Sequence, residues 1–294
     1  TNTYSCSADV FKSGIVARQL NGGNGSTEKP LSTWGQTLGT DNYPVFMTAN
    51  NSNAVYAVSI KGVNKYGNTG TIISIPAATL SFVDEKIYSG DYKDAAGNAF
   101  TDHCTITGAD VTLSQTLLID MASHKTDGYY EISTPEQMKW FEYYVNAGTD
   151  HASTCARLTA DIDLSTVCSA TLGNWTPIAS AAGYSKDTGY SGTFDGNNKT
   201  ISGLYIKSAS SSNQALFCYV GAAATIKNLT VVVDINVGFN CAAIAAENYG
   251  LISGCTAQGK IVCTLYGSGI AFSNVGTIEY CTNEASVSIS EADD

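Results

Sequence analysis

Residues 215–289 repeat themselves. Displaced by 26 positions, Ile244-Ala-Ala-Glu-Asn-Tyr-Gly-Leu-Ile-Ser-Gly-Cys-Thr falls on Ile270-Ala-Phe-Ser-Asn-Val-Gly-Thr-Ile-Glu-Tyr-Cys-Thr without a gap. The same displacement brings Ile226 under Ile252 and Ile278, and Leu229 under Cys255 and Cys281. A unit this short cannot bury its apolar face alone and does so by stacking on its neighbour. A fixed period with β-branched residues, Gly and Asn recurring in columns is therefore the mark of a solenoid. The expected fold class is mainly β, with a right-handed parallel β-helix at the C-terminal end.

The period lets candidate sites be tested by stacking. Hydrolytic or lyase chemistry needs convergent carboxylates and a base. The displacement instead puts Asp234 over Lys260 and Ser286, Glu247 over Ser273, and Glu279 under Ser253, so no acidic column forms. Asp161 and Asp163 share one face of a strand and suit turn and cap hydrogen bonding better than catalysis. Asp195-Gly-Asn-Asn reads as a turn in which Gly196 or an Asn takes positive φ, with weak calcium binding as the lesser reading. Gly189-Tyr-Ser-Gly lacks the spacing of a nucleophile elbow. Cys255 and Cys281 align with Leu229, and Cys218 with Ile244 and Ile270, which marks them as inward-facing core positions. Asn248 and Asn274 predict an asparagine ladder at a corner. Cys155 and Cys168 flank a strand and are candidates to pair in an oxidising compartment. Tyrosines form no column, so no ligand site is named.

Upstream, three segments are distinguished. Residues 1–48 are too short and Gly-rich to fold alone. Residues 49–126 contain short alternating runs separated by Tyr66-Gly-Asn, Ser89-Gly-Asp, Ala96-Gly-Asn and Thr107-Gly-Ala, which predicts a small antiparallel β-sandwich. Residues 127–294 open with a strand and one amphipathic helix over about 135–147. Ser133 or Thr134 is its N-cap, Pro135 lies in the first turn, and Met138, Phe141 and Val145 fall at helical spacing before Gly148. A helix here would cover the first coil's open edge.

Tyr130-x-Ile-Ser-x-x-x-Gln-Met-x-Trp-Phe, Leu158-Thr-Ala-Asp-Ile-Asp-Leu, Trp175-x-Pro-Ile, Gly192-Thr-Phe-Asp-Gly-Asn, Ile201-x-Gly-Leu and Ile226-Lys-Asn-Leu, taken in that order, resemble the GLUG-motif β-helix proteins. These are surface and secreted, often adhesin-like proteins of gut and oral bacteria. The resemblance covers about 128–289. It departs where the family has glycine-rich corners, since Ala215-Leu-Phe-Cys, Ala242-Ala-Ile-Ala-Ala and Gly267-Ser-Gly-Ile-Ala stand there. The segment through Trp34-Gly-Gln-Thr-Leu-Gly-Thr-Asp-Asn-Tyr-Pro-Val-Phe46 resembles the piece that closes such a helix, yet it precedes the repeats.

Composition narrows the function classes. Net charge is −11, only 14% of residues are charged, and Arg18 and Arg157 are the only arginines, so the counterion displacement that nucleic acid demands has no source. No apolar run reaches the ~18–20 residues of a membrane span, and the first residues are not a leader, which reads as a mature or trimmed product. Nine cysteines leave at least one without an intrachain partner, and neither they nor His103, His124 and His151 fall at zinc-ligand spacing. Asn-x-Ser/Thr triplets at Asn24, Asn50, Asn174, Asn198 and Asn228 are read first as chance products of this composition, with glycan acceptors as the lesser reading.

The functional expectation is a non-enzymatic, secreted or cell-surface structural or adhesion protein. No catalytic, metal or cofactor residue is assigned, and neither nucleic acid nor membrane insertion is expected. Its first expected partner is a further copy, meeting head to tail into filaments through Trp34, Tyr43, Val45, Phe46, Ile270, Ile278, Cys281, Val287 and Ile289; surface glycans or proteins are the other candidates. The alternatives are a fragment of a larger adhesin and a carbohydrate-active or peptidase-associated β-helix module.

Overall fold

The computed structural model describes residues 7–20, 34–42, 44–46, 54–76 and 80–289, and for Trp34, Val45 and Phe46 the backbone alone; Tyr43 lies outside the described residues. The chain divides into two compact units, one drawn from 1–81 and 88–118, the other from 82–87 and 119–294.

In the first unit, Tyr56–Ile60 and Val63–Gly67 form an antiparallel hairpin. Lys61 and Gly62 take positive φ at its tip, as a tight hairpin turn requires. Val111–Asp120 joins Tyr56–Ile60 in parallel, with Val111 opposite Val58 and Leu113 opposite Ile60. The sheet is thus mixed where alternation had predicted an antiparallel one, because residues 68–110 return the chain to the same end of the hairpin. Ile72–Ser74 and His103–Thr105 make a second, antiparallel pair. Val58, Ile60, Ile73, Ile75, Tyr92, Cys104, Ile106 and Leu113 form the core. The N-terminal residues belong to this unit. They carry two short helices the sequence had not announced, Ala8–Lys12 and Ile15–Leu20. Arg18 ion-pairs with Asp110, and Asn68 donates to the carbonyls of Gln36 and Ala54 at 2.8 and 2.9 Å.

The second unit is dominated by parallel ladders. Tyr129–Ile132, Cys155–Leu158, Thr193–Ser208 and Thr225–Val237 pair in that order. Two further layers follow, Leu251–Ser253 with Thr256–Cys263, then Thr277–Glu279 with Ser286–Ile289. A three-stranded parallel sheet of Phe217–Val220, Ala245–Asn248 and Ala271–Asn274, and a pair of Cys241–Ala242 with Gly267–Ser268, accompany these ladders. Along Thr225–Val237 the side chains alternate, so that Ile226, Leu229, Val231, Val233, Ile235 and Val237 are buried.

The register agrees with the 26-residue columns. Ile226, Ile252 and Ile278 stack, and so do Asp234, Lys260 and Ser286. Cys218 is an exception: Phe217 pairs with Ala245 and Tyr219 with Glu247, so Cys218 lies beside Ala246, not Ile244. The corner after Val220 has four residues, 221–224, where that after Asn248 has two, 249–250, and this shifts the column. Cys218 is still buried.

The helix runs Pro135–Asn146. Thr134 is the N-cap of a full capping box with Gln137. Met138, Phe141 and Val145 are fully buried. Phe141 lies 5.5 Å from Phe194, which lies 5.5 Å from Phe217, so the helix extends the aromatic interior of the ladders. Trp140 Nε1 donates to the Asp84 carbonyl at 2.7 Å, fastening 82–87 to the helix.

Candidate functional site

Two surfaces of the second unit have chemistry beyond packing, the outermost layer and a groove at one corner. Positions that are sealed in inner layers become exposed in the outermost described layer. Ile235 and Ile261 are fully buried, while Val287 in the same column is 36% exposed; Val237, Cys263 and Ile289 run 2%, 0% and 53%. Leu229 and Cys255 are buried and Cys281 is half-buried. Ile270 and Ile278 are half-buried as well. The layer keeps the apolar pattern of an interior one without a layer over it among the described residues.

Of the residues expected to form a joint, Ile270, Ile278, Cys281, Val287 and Ile289 therefore share this surface. Trp34, Val45 and Phe46 belong to the first unit, where Trp34 pairs with Phe46 and Gly35 with Val45 in a short antiparallel ladder. Their side chains, like all of Tyr43, lie outside the described residues.

The corners explain how such layers stay in register. Asn248, wholly buried, accepts from Gly250 N at 3.1 Å and donates to Asn274 Oδ1 at 2.7 Å. Asn274 in turn donates to the Gly276 carbonyl at 3.2 Å, which is the expected ladder. A second column takes left-handed backbone in each layer: Asn228 at φ 53°, Gly254 at 62°, Tyr280 at 53°. Asn and Gly tolerate that conformation, whereas a tyrosine is strained there.

The groove has a volume of about 670 Å³ and is lined by Lys207, Ser208, Asn236, Gly238, Phe239 and Thr264. Thr264 Oγ1 donates to the Gly238 carbonyl and Gly238 N to the Ser208 carbonyl, which locks three layers together. A Cβ on Gly238 would lie 1.7 Å from the Ala209 carbonyl oxygen, so only glycine allows this approach. Lys207 pairs with Asp234 at 3.2 Å and sits over the Tyr205 ring. Phe239 is 43% exposed, and one layer on Leu265 and Tyr266 are 52% and 65% exposed. A flat ring beside amide, hydroxyl and ammonium groups is a surface that sugars can use. Its parts come from separate layers, so no local motif announced it.

The carboxylates singled out in the sequence are engaged. Asp161 accepts from Thr200 N at 2.8 Å, and Asp163 caps Ser165 N at 3.0 Å. Asp195 accepts from Asn197 N at 2.9 Å, with Asn197 and Asn198 at positive φ as the turn reading required. Glu247 takes hydrogen bonds from Tyr249 at 2.7 Å and Asn213 at 3.0 Å, and that carboxylate holds the Tyr249 phenol up at about 12. Glu142, the buried carboxylate among the described residues, is paired with Lys139 at 2.6 Å. Among the described residues no group of three or more His, Cys, Asp or Glu is placed to hold a metal ion. None of their helices is long and apolar enough to cross a membrane.

Cys155 and Cys168 are not brought together. Cys155 Sγ accepts from Thr193 N at 3.3 Å, while the Cys168 thiol points to the Gly203 carbonyl at 3.4 Å. The strand between them continues into Ile162–Asp163 and a short helical turn, so the two thiols end beside different neighbours.

Over 204 residues, 63% of its length, the chain is 30% identical to halomucin of Haloquadratum walsbyi (strain DSM 16790 / HBSQ001). It spans only 2% of that protein. No family model matches the chain, and no solved structure matches it.

Proposed function

We propose that the second unit is a right-handed parallel β-helix of the GLUG type, and that the protein is a non-enzymatic, extracellular or cell-surface structural component which adds layers by stacking on further copies of itself. The observation that carries this reading is the exposure gradient along single columns, from Ile235 and Ile261, both fully buried, to Val287 at 36%. A layer with an interior pattern and an open backbone edge is complementary to another parallel strand, through main-chain hydrogen bonds and apolar stacking. Such a contact joins different faces of two copies, so it propagates into a filament unless the rotation closes it. The likeness to halomucin is in keeping with an extracellular role. Carboxylates engaged in caps and ion pairs favour a scaffold over acid/base chemistry.

The test is negative-stain electron microscopy of the chain and of a Val287→Lys, Ile289→Lys variant across a range of concentrations. Wild type should form linear assemblies and the variant, with two ammonium groups on the stacking face, dispersed particles. Dispersed wild-type particles at every concentration would refute self-stacking.

The groove at Phe239 favours one second reading, adhesion to glycans. Binding on a glycan array that is lost in Phe239→Ala would establish it, and an array without binding would remove it.

A further inference from the structure

We propose that Cys255 and Cys281 are a modification site: an intrachain disulfide between two successive layers, formed by exchange with a small-molecule disulfide. The pair stands in one column. Ser253 pairs with Glu279 and Thr256 with Thr282, which puts the two cysteines directly over one another. Adjacent strands lie about 4.8 Å apart, within the Cα separation of about 4.4–6.8 Å that a disulfide spans. Cys281 Sγ reaches back to accept from Cys255 N at 3.4 Å, which brings its sulfur against the neighbouring cysteine. Alignment alone reads these residues as packing; the structure also sets the Cys281 sulfur on the Cys255 backbone.

The two ends of the pair differ in a way that orders the chemistry. Cys255 is fully buried, while Cys281 is half-buried and offers a route in. The hydrogen bond from the Cys255 thiol outweighs burial at Cys281 and, with the N–H groups of Cys255 and Gly254, holds that thiol down at about 6. Cys281 is thus the thiolate and Cys255 the resolving thiol. The Cys281 thiolate attacks one sulfur of the small disulfide and expels its first thiolate. Cys255 then gives up its proton to that thiolate and attacks the Cys281 sulfur, expelling the second, which takes a proton from solvent. Two protein sulfurs are oxidised and the two donor sulfurs are reduced.

A second thiol pair supplies an internal contrast. Cys241 and Cys263 are hydrogen-bonded to one another, yet both are fully buried, and burial raises the Cys241 thiol beyond the ordinary range. With no exposed thiolate, this pair should stay reduced in the folded protein. Both sulfurs belong to one chain, but self-stacking would cover Cys281, so the exchange is run on the Val287→Lys, Ile289→Lys variant as well as on wild type, and the outcomes are read on the dispersed protein.

The experiment treats the reduced full chain with oxidised glutathione, quenches with N-ethylmaleimide, digests without reduction and maps the peptides by mass spectrometry. The expected product is a Cys255–Cys281 cross-linked peptide pair, with Cys241 and Cys263 not cross-linked. Closing a 26-residue loop should raise the melting temperature by about 7–14 °C over the reduced chain. Cys255→Ser should instead retain glutathione on Cys281, and Cys281→Ser should show no redox-dependent melting shift. Recovery of wild-type Cys255 and Cys281 as uncross-linked peptides, or a persistent glutathione adduct at wild-type Cys281, would overturn the assignment.

Discussion

Asn248 and Asn274 occupy one column and differ chiefly in what lies around them, so truncating each separates the effect of burial from that of hydrogen bonding. Asn248→Ala removes the 2.7 Å bond to Asn274 and leaves Gly250 N without its 3.1 Å acceptor in a buried corner. A lost hydrogen bond costs about 1 kcal/mol and a stranded buried donor about 1–3 kcal/mol, together about 3 kcal/mol. Asn274→Ala deletes the same bond from the exposed side, where water replaces the 3.2 Å contact to the Gly276 carbonyl. There, Asn248 keeps the Gly250 and Thr277 carbonyls at 3.3 Å, so the cost is about 0.5–1 kcal/mol. Followed by circular dichroism in dilute solution, Asn248→Ala should melt about 6–12 °C below wild type and Asn274→Ala no more than about 4 °C below. Equal losses from the two would refute the view that the inner corner is sealed and the outer one open.

Tyr280→Gly relieves a strained left-handed residue whose side chain is 86% exposed, and should stabilise the chain by about 0.5–1 kcal/mol after the entropy glycine loses on folding, measured by urea titration. At Asp195 burial raises the carboxyl pKa, but hydrogen bonds from Asn197, Lys227 and Asn228 prevail and leave it below its ordinary value. A depressed folded pKa stabilises above the unfolded value of about 3.9 and loses that contribution as pH falls through the folded one. Wild type should therefore lose stability below about pH 4 more steeply than Asp195→Asn in melting series at graded pH. Gly238→Ala places a methyl against the Ala209 carbonyl and should cost about 1–3 kcal/mol, while Gly148→Ala, with open space around it, should melt within about 2 °C of wild type.

The 26-residue columns were legible because the last two repeats have equal corners, so that like residues fall on like positions. Farther upstream Phe194 pairs with Ile226 and Val220 with Asn248, neither pair 26 apart, and the fixed displacement misplaces Cys218. The helix was legible because Thr134, Pro135 and Gln137 are local signals. The parallel placement of Val111–Asp120 beside Tyr56–Ile60 was not, because alternation reports which face is buried and not which direction a partner runs. The same limit hid the groove, whose lining comes from three layers. The cysteine contact was present in the alignment, but stacking of two apolar residues and of two thiols looks the same there until the sulfur positions are known.

Amide hydrogen exchange across residues 271–289, read by mass spectrometry at several protein concentrations, tests self-stacking at the layer said to carry it. The account predicts that exchange in Ala271–Asn274 and Ser286–Ile289 slows as concentration rises, and that the Val287→Lys, Ile289→Lys variant exchanges at one fast rate throughout. Exchange independent of concentration while assemblies form would place the contact elsewhere and contradict the open layer as the joint.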